Sequence, residues 1–413
     1  MNLVIPGDWI VKPLQQVAHV QSGVALSKAT LKDPVWLPYL RVANVQEGYL
    51  DLRDVRTVAV ERRLVERFAL QPGDVLMTEG GDFDKLGRGD LWRGEISPCL
   101  HQNHVFAVRT DRSQVLPEFL TALSNSSHGR SYFLSCAKSS TTLASINARQ
   151  LRNFPVLLPS LEEQQRICAI LANWDKSHAC IQKILQNHKA LQRGLRQYLL
   201  ESPAARQWPL VDLGQIAAVC PEPGLKRLPM QFRYITLTDV NAGSIAPELE
   251  WVSAADAPKR ARRAVAAGDV LMSMVRPNLQ GYARIDAAHA DCIASTGFAL
   301  LRAKAGVEPG YLYHMLFGSS IQRQIQAKVT GSSYPSISLA DIGRLRLPLP
   351  PLAVQQRVVA ILDAAEAEVQ LARRQREVVA QEKKLWTQRL VTGKWRVLPP
   401  EDESETARRL RRA

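Results

Sequence analysis

Paired cysteines are missing from this sequence of 413 residues: Cys99, Cys136, Cys168, Cys180, Cys220 and Cys292 are scattered, with no CxxC spacing. That pattern argues against a zinc knuckle or a disulfide framework and for reduced thiols. Long apolar runs are missing too. None reaches eighteen residues, and MNLVIPGDWIVK lacks the charged and apolar regions of a secretion signal, so a soluble, cytoplasmic protein without a membrane partner is expected.

Three catalytic signatures are equally absent. Adenine methylation needs a motif like [DN]PP[YF], but the only Pro-Pro pairs lie in LPPL (349 to 352) and LPPE (398 to 401). ATP hydrolysis needs GxxxxGK[ST], whereas Gly393-Lys394 is followed by Trp395. Asp74, Asp82, Asp84 and Lys85 fall outside the acidic-x-Lys register of a metal-dependent nuclease. Cys99, His101 and His104 lack a fourth metal ligand, and His178 and His188 are too far apart on one helix to share an ion. The chain is expected to hold no cofactor or metal and to catalyse nothing by itself.

What the sequence does contain, it contains twice. GDVLM stands at 73 to 77 and at 268 to 272. Around it, LPYLRVANVQEG (37 to 48) matches FRYITLTDVNAG (232 to 243) at the same offset of 195. Phe106-Ala107 falls on Phe298-Ala299 and Pro117 on Pro309 at an offset of 192, and Ser145-Ile146 falls on Ser336-Ile337 at 191. LPSLEEQQRICAIL (158 to 171) then matches LPPLAVQQRVVAIL (349 to 362), and GLRQYLLES (194 to 202) matches LWTQRLVTG (385 to 393). The unit is far longer than a solenoid repeat, so each copy is a domain with an extension.

Short apolar bursts bounded by Gly, Pro and Asp, such as GDVLM, HVFAVR (104 to 109), GDVLMSMV (268 to 275) and GFALLR (297 to 302), read as strands. Helices are expected at 117 to 127 and 309 to 326, each with proline in its first turn. Some forty residues then pass in each copy almost without Gly or Pro. In the first, Ile167, Ile170, Trp174, Ile181, Ile184, Leu191, Leu195 and Tyr198 form a heptad seam; in the second, Val358, Ile361 and Ala365 keep the register. Helices of this length run about 60 Å, too long to pack around one small domain, so they are expected to pair with each other. The fold class is α+β: two mixed α/β domains in tandem duplication (1–157 and 203–348), separated by two long helices (158–202 and 349–393) forming an antiparallel coiled coil with pseudo-twofold symmetry. A charged, flexible tail (394–413) is expected to follow.

The net charge of +14 points to a polyanionic partner. Each long helix and the tail contributes only +2, so most of the excess sits on the globular parts. Base edges are read by Arg, Lys, Asn, Gln and hydroxyl side chains on loops, and phosphates are held by Lys, Arg and backbone amides. Candidates in the first domain are Glu79, Gly80, Gly81, Lys85 and Arg88 after GDVLM, Gln102 and Asn103 before the next strand, and Lys138, Ser139 and Ser140 near the end. The matching places in the second are Met274, Arg276 and Asn278, then Ser295 and Thr296, then Gly331, Ser332, Ser333 and Tyr334. The frame repeats and the loop contents differ, so two different half-sites on double-stranded DNA are expected.

Taken together, LPSLEEQQRICAIL, LPPLAVQQRVVAIL, IPGDWIVKPLQQVAHVQSG (5 to 23), MVRPNLQGYARID (274 to 286), GSSYPSIS (331 to 338) and LVTGKWR (390 to 396) resemble the specificity subunit of type I restriction-modification systems. The resemblance spans the chain. It implies two target-recognition domains that read a bipartite DNA site and a coiled coil that docks two modification subunits, which methylate adenine with S-adenosylmethionine. Restriction subunits would join as a translocase using ATP and magnesium. With the seam, it assigns Glu163, Gln164, Arg166, Gln355 and Arg357 at the helix starts to the coiled coil and to partner docking. The second copy departs from the pattern: Ala353-Val354 replaces Glu162-Glu163, which would make any acidic contact one-sided. The competing reading is a scaffold whose paired helices and domains bind only protein.

Overall fold

The computed structural model describes residues 5–25, 31–81, 86–140, 143–202, 207–222, 224–241, 243–331 and 334–397. Two compact units emerge, one from residues up to Cys180 together with those from Arg376 onward, the other from Ile181–Gln375.

In the first unit, strand Val105–Thr110 lies between Ala18–Ser22 and Val75–Thr78, with Gly89–Leu91 beyond, all antiparallel. The second unit repeats this sheet with Phe298–Ala303 between Ala217–Val219 and Val270–Ser273, and Tyr282–Arg284 beyond. Both GDVLM stretches are therefore inner strands, with Val75, Leu76, Met77, Val270, Leu271 and Met272 all buried. Their Gly-Asp is more than a turn. Asp74 is buried and gripped by Arg109 from the neighbouring strand through Nε and Nη2, both at 2.8 Å; Asp269 is held by Arg302 in the same way at the same distances. These charge-assisted forks raise the pKa of both arginines. They also correct the sequence alignment. Pairing puts Val105 opposite Thr78 and Phe298 opposite Ser273, so Phe298 corresponds to Val105, and the Phe-Ala match is one residue out of frame.

Each expected helix after this sheet is two helices: Pro117–Ser124 then Ser127–Cys136, and Pro309–Leu316 then Ser319–Lys328. In the second copy the break falls at Phe317 and Gly318. Short strands entering and leaving each domain pair with one another, Ile10–Pro13 with Pro155–Leu158 and Leu210–Asp212 with Arg346–Pro348.

The long helices are Leu161–Glu201 and Leu352–Val391. Their ends belong to the domain cores. Ile167, Leu171, Leu390 and Val391 bury with Trp9, Phe119 and Phe154, while Val358, Leu362 and Leu200 bury with Tyr311 and Leu312. They pack together antiparallel. In the first unit Trp174 faces Trp386 with ring centroids 6.3 Å apart and Lys383 pairs with Asp175; in the second Leu185 buries against Val369 and Ala372.

Half of the expected seam is shifted by one residue. Ile167 is buried and Trp174 and Ile181 are half-buried, but at the alternate positions Leu171 and Leu185 are buried, whereas the expected Ile170 is only half-buried and Ile184 is exposed. Ile184 and Leu191 are exposed at 39% and 56%, as are Ile361 at 44% and Tyr198 at 72%. The reason is that Ile170-Leu171 and Ile184-Leu185 are adjacent apolar pairs, so steps of three or four fit equally well until the partner helix selects one. The second helix has the same phase: Val358, Leu362, Ala365, Val369 and Ala372 are covered or half-covered.

The expected flexible tail is corrected for its first residues. Trp395 packs on Trp386 at 4.7 Å, and Arg396 reaches Asp8 and Glu163. Residues 398–413 lie outside the described residues.

Candidate nucleic-acid interface

Past the end of each GDVLM strand, three loops converge, and the same backbone bonds hold them in both copies. In the first domain Glu79 donates its N–H to the His104 carbonyl (2.9 Å), and its own carbonyl accepts from the Ile146 N–H (2.8 Å). In the second, the Met274 N–H reaches the Gly297 carbonyl (2.9 Å) and the Met274 carbonyl accepts from Ile337 (3.0 Å). The candidate clusters, separate in sequence, are therefore neighbours in space.

In the first domain Gly80–Gly81 pairs with Leu143–Ser145, which pairs with Lys138–Ser140, so the glycines and the Lys138-Ser139-Ser140 segment share a three-stranded sheet. Gln102 and Asn103 are half-buried behind it, with Gln102 N–H bonded to the Leu40 carbonyl and Asn103 N–H to the Val24 carbonyl. The Glu79 carboxylate pairs with His104 at 2.5 Å. Arg88 is half-buried, and its Nε has no hydrogen-bond partner among the described residues. Lys85 lies outside the described residues.

In the second domain the loop is a 3-10 turn, Pro277–Leu279, flanked by Arg276 and Gln280, both in the left-handed backbone region at φ 48° and 54°. Such a conformation costs a side-chain-bearing residue roughly 1–2 kcal/mol. It is supported from below: the buried Tyr282 hydroxyl donates to the Pro277 carbonyl at 2.9 Å, and the Arg276 N–H reaches the Pro335 carbonyl at 2.7 Å. The result is an exposed platform. The Arg276 guanidinium lies 5.5 Å from the ring of Tyr334, which is 73% exposed, and Asn278 is exposed beside them. Gly331, at φ 87°, turns the chain into this hairpin. Ser332 and Ser333 lie outside the described residues.

Ser295 is corrected. It is buried in a strand and its Oγ accepts from the Gly297 N–H, so it supports the loop rather than facing solvent; Thr296, half-buried, hangs from the Arg260 carbonyl. That last bond exposes what sequence reasoning missed. Lys259, Arg260, Arg262 and Arg263 lie on or beside strand Ala261–Ala264, which pairs with the Ser295 strand, and none has an ion-pair partner among the described residues. The run PKRARR was visible, and a charge count over a short window would have flagged it.

The residues at the helix starts have structural roles. Glu163 is buried, accepting from Trp9 Nε1 (3.2 Å) and from Arg396 Nε (2.8 Å) and Nη2 (2.9 Å). Gln164 is buried too, accepting from the Leu116 N–H and donating to the Gln114 and Pro159 carbonyls. Gln355 repeats this, with the Glu308 N–H and the Gly306 and Pro350 carbonyls. These side chains lock each helix to its own domain, the amide in both copies and Glu163 in the first, where Val354 stands at the matching place in the second. Arg166 is tied to the Val397 carbonyl; Arg357 is exposed. His101 is buried on the Val105 carbonyl, its pKa lowered by burial, and burial, with Glu95 adding, pushes the Cys99 thiol up to about 12.

Comparison with known proteins fits this duplicated geometry. The type I restriction modification DNA specificity domain matches residues 6–188 and 257–381, three-quarters of the chain. The chain belongs to this family. It is a type I restriction-modification specificity subunit with two target-recognition domains, a class without catalytic activity of its own. It is 22% identical over 95% of both chains to a putative type I restriction enzyme specificity subunit, MjaX, of Methanocaldococcus jannaschii. To the EcoKI specificity subunit of Escherichia coli it is 26% identical over 42% of this chain and 38% of that one. In fold it resembles a chain from a structure of type I R-M complex assembly and conformational transition (TM-score 0.57, 18% identity, 94% of this chain and 98% of that one). It also resembles the S subunit from M. genitalium (TM-score 0.55, 12% identity, 94% and 98%). Among the described residues no helix is long and apolar enough to cross a membrane.

Proposed function

We propose that each target-recognition domain reads one half of a bipartite site on double-stranded DNA, and that the paired helices carry two modification subunits, with restriction subunits joining them. One observation carries this reading: the three-loop junction past GDVLM has the same backbone bonds in both domains but different side chains. A reader that keeps its frame and changes its contents suits two unlike half-sites. In the second domain, Arg276 and Asn278 are the side chains for base edges, Tyr334 holds Arg276 in place, and Lys259, Arg260, Arg262 and Arg263 suit phosphate. Methyl transfer with S-adenosylmethionine, and ATP- and magnesium-dependent translocation, are assigned to the partners.

Binding-site selection and footprinting of the chain with its modification subunits test this. Two protected blocks flanking an unprotected gap are expected. One continuous block, or no protection at all, would sink the reading and favour a scaffold that binds only protein.

A further inference from the structure

The two copies also differ where the first helix after the sheet faces the long helices. In the second unit this place is filled by the unit's own side chains. Tyr313 and His314 are fully buried there, with Tyr313 donating to Glu366 at 2.6 Å and His314 bonded to Asp363 at 2.8 Å. Phe317 stacks edge-on against Tyr313 at 5.2 Å, and the Arg196 guanidinium lies over the Phe317 ring at 4.5 Å.

The first unit is hollow at the same place. The frame can be carried across residue by residue, because Gln164 holds the Leu116 N–H as Gln355 holds that of Glu308, and Gly48 bonds the Gly89 carbonyl as Gly243 bonds that of Tyr282. In that frame Thr121 stands for Tyr313, Ala122 for His314, Asn125 for Phe317, Ala172 for Asp363 and Thr387 for Arg196. Every one of the five is smaller, and all five line a cavity of about 960 Å³. That volume lies at the upper end of ligand sites.

The lining says what would enter. Leu91, Leu171 and Ala122 make an apolar floor. The inner polar groups are already satisfied: Thr121 bonds the Pro117 carbonyl, and Asn125 bonds both backbone groups of Gly89. The rim carries ion pairs, Arg130 with Glu47, Arg93 with Asp90 and Lys383 with Asp175, together with the exposed carboxylate of Glu118 and the exposed ammonium of Lys384. An apolar floor inside a charged rim is the anatomy of a protein anchor pocket, and aromatic and arginine side chains are the usual anchors. We infer that this cavity is a socket for a segment of one partner protein, which inserts an aromatic ring and an arginine where the second unit uses Phe317 and Arg196. Since only the first copy is hollow, one such segment binds per chain.

N-acetyl-tyrosyl-arginine amide, followed by ligand-observed NMR on the full chain, is the probe. Saturable binding with a dissociation constant on the order of 1 mM is expected, at least about tenfold weaker for N-acetyl-tyrosyl-glutamate amide. The double variant Asn125→Phe, Thr387→Arg refills the socket with the second unit's side chains and should weaken binding at least about tenfold. Ala380→Trp, which blocks the rim from an exposed helix position, should do the same without touching the core. No saturable binding, equal binding of the glutamate analogue, or undiminished binding to Ala380→Trp would overturn the inference. So would benzamidine binding more tightly than the dipeptide, which would mark a small-molecule site.

Discussion

Asp74 and Asp269 look in the sequence like turn formers, and their second role depends on arginines more than thirty residues away. Removing the guanidinium leaves the buried carboxylate with only the Gln71 N–H, at 2.8 Å, so Arg109→Ala is expected to destabilise the first domain by about 2–3 kcal/mol in urea unfolding. Asp363 makes a different case. Burial opposes its charge, but hydrogen bonds from His314 and Arg284 outweigh that and hold its pKa below the ordinary value. Folding therefore favours the ionised form. Its contribution is full above about pH 4, where an unfolded aspartate ionises, and is lost as pH falls through the lower folded value. Acid titration of unfolding should show the wild type losing stability over that window with a steeper slope than Asp363→Asn; equal slopes would count against the network. At this scale sequence reading found positions and missed partners. Glu163 stood out as an acid at a helix start, but nothing local says that Arg396 and Trp9 close over it.

Among the elements, the long helices were the most legible, since forty residues with almost no Gly or Pro and a regular apolar step leave few alternatives. Their phase was not legible, because Ile170-Leu171 and Ile184-Leu185 offer two seams one residue apart. Leu185 is 1% exposed and Ile184 is 39% exposed, which separates two otherwise similar substitutions. Leu185→Ala should cost about 2–5 kcal/mol by leaving a cavity against Val369 and Ala372, whereas Ile184→Ala should stay within about 1 kcal/mol. Thermal or urea unfolding of the pair decides the phase. The strand pattern was legible too, but the one-residue slip at Phe106 and Phe298 was not. Only pairing partners reveal register.

Across the whole molecule, the duplication was plain from the sequence because GDVLM and the QQR helix starts recur in order. Which loops meet was not, since the bonds from Glu79 to Ile146 and from Met274 to Ile337 join segments far apart in the chain. If the two junctions read independently, replacing residues 1–157 with those of a relative should alter one half-site only, and binding-site selection would show it. Removing Lys259, Arg260 and Arg263 together should weaken DNA binding across all sequences and flatten the logarithmic salt dependence by about 0.9 for each phosphate no longer neutralised. Arg276→Ala should instead cost roughly 1–3 kcal/mol and relax preference at one position of one half-site.

The meeting of Gly393 and Arg396 with Pro6, Asp8 and Glu163 has a topological consequence. Both outer segments of the chain are built into one domain, so a peptide linker between Val397 and Ile5 would close the polypeptide into a loop. Cutting that loop between Ser202 and Gln207 would yield a permuted chain that begins with the second recognition domain and ends with the first long helix. If it folds and binds the same DNA, the order in which the two half-site readers are encoded is a matter of genetic history, to which the folded structure is indifferent.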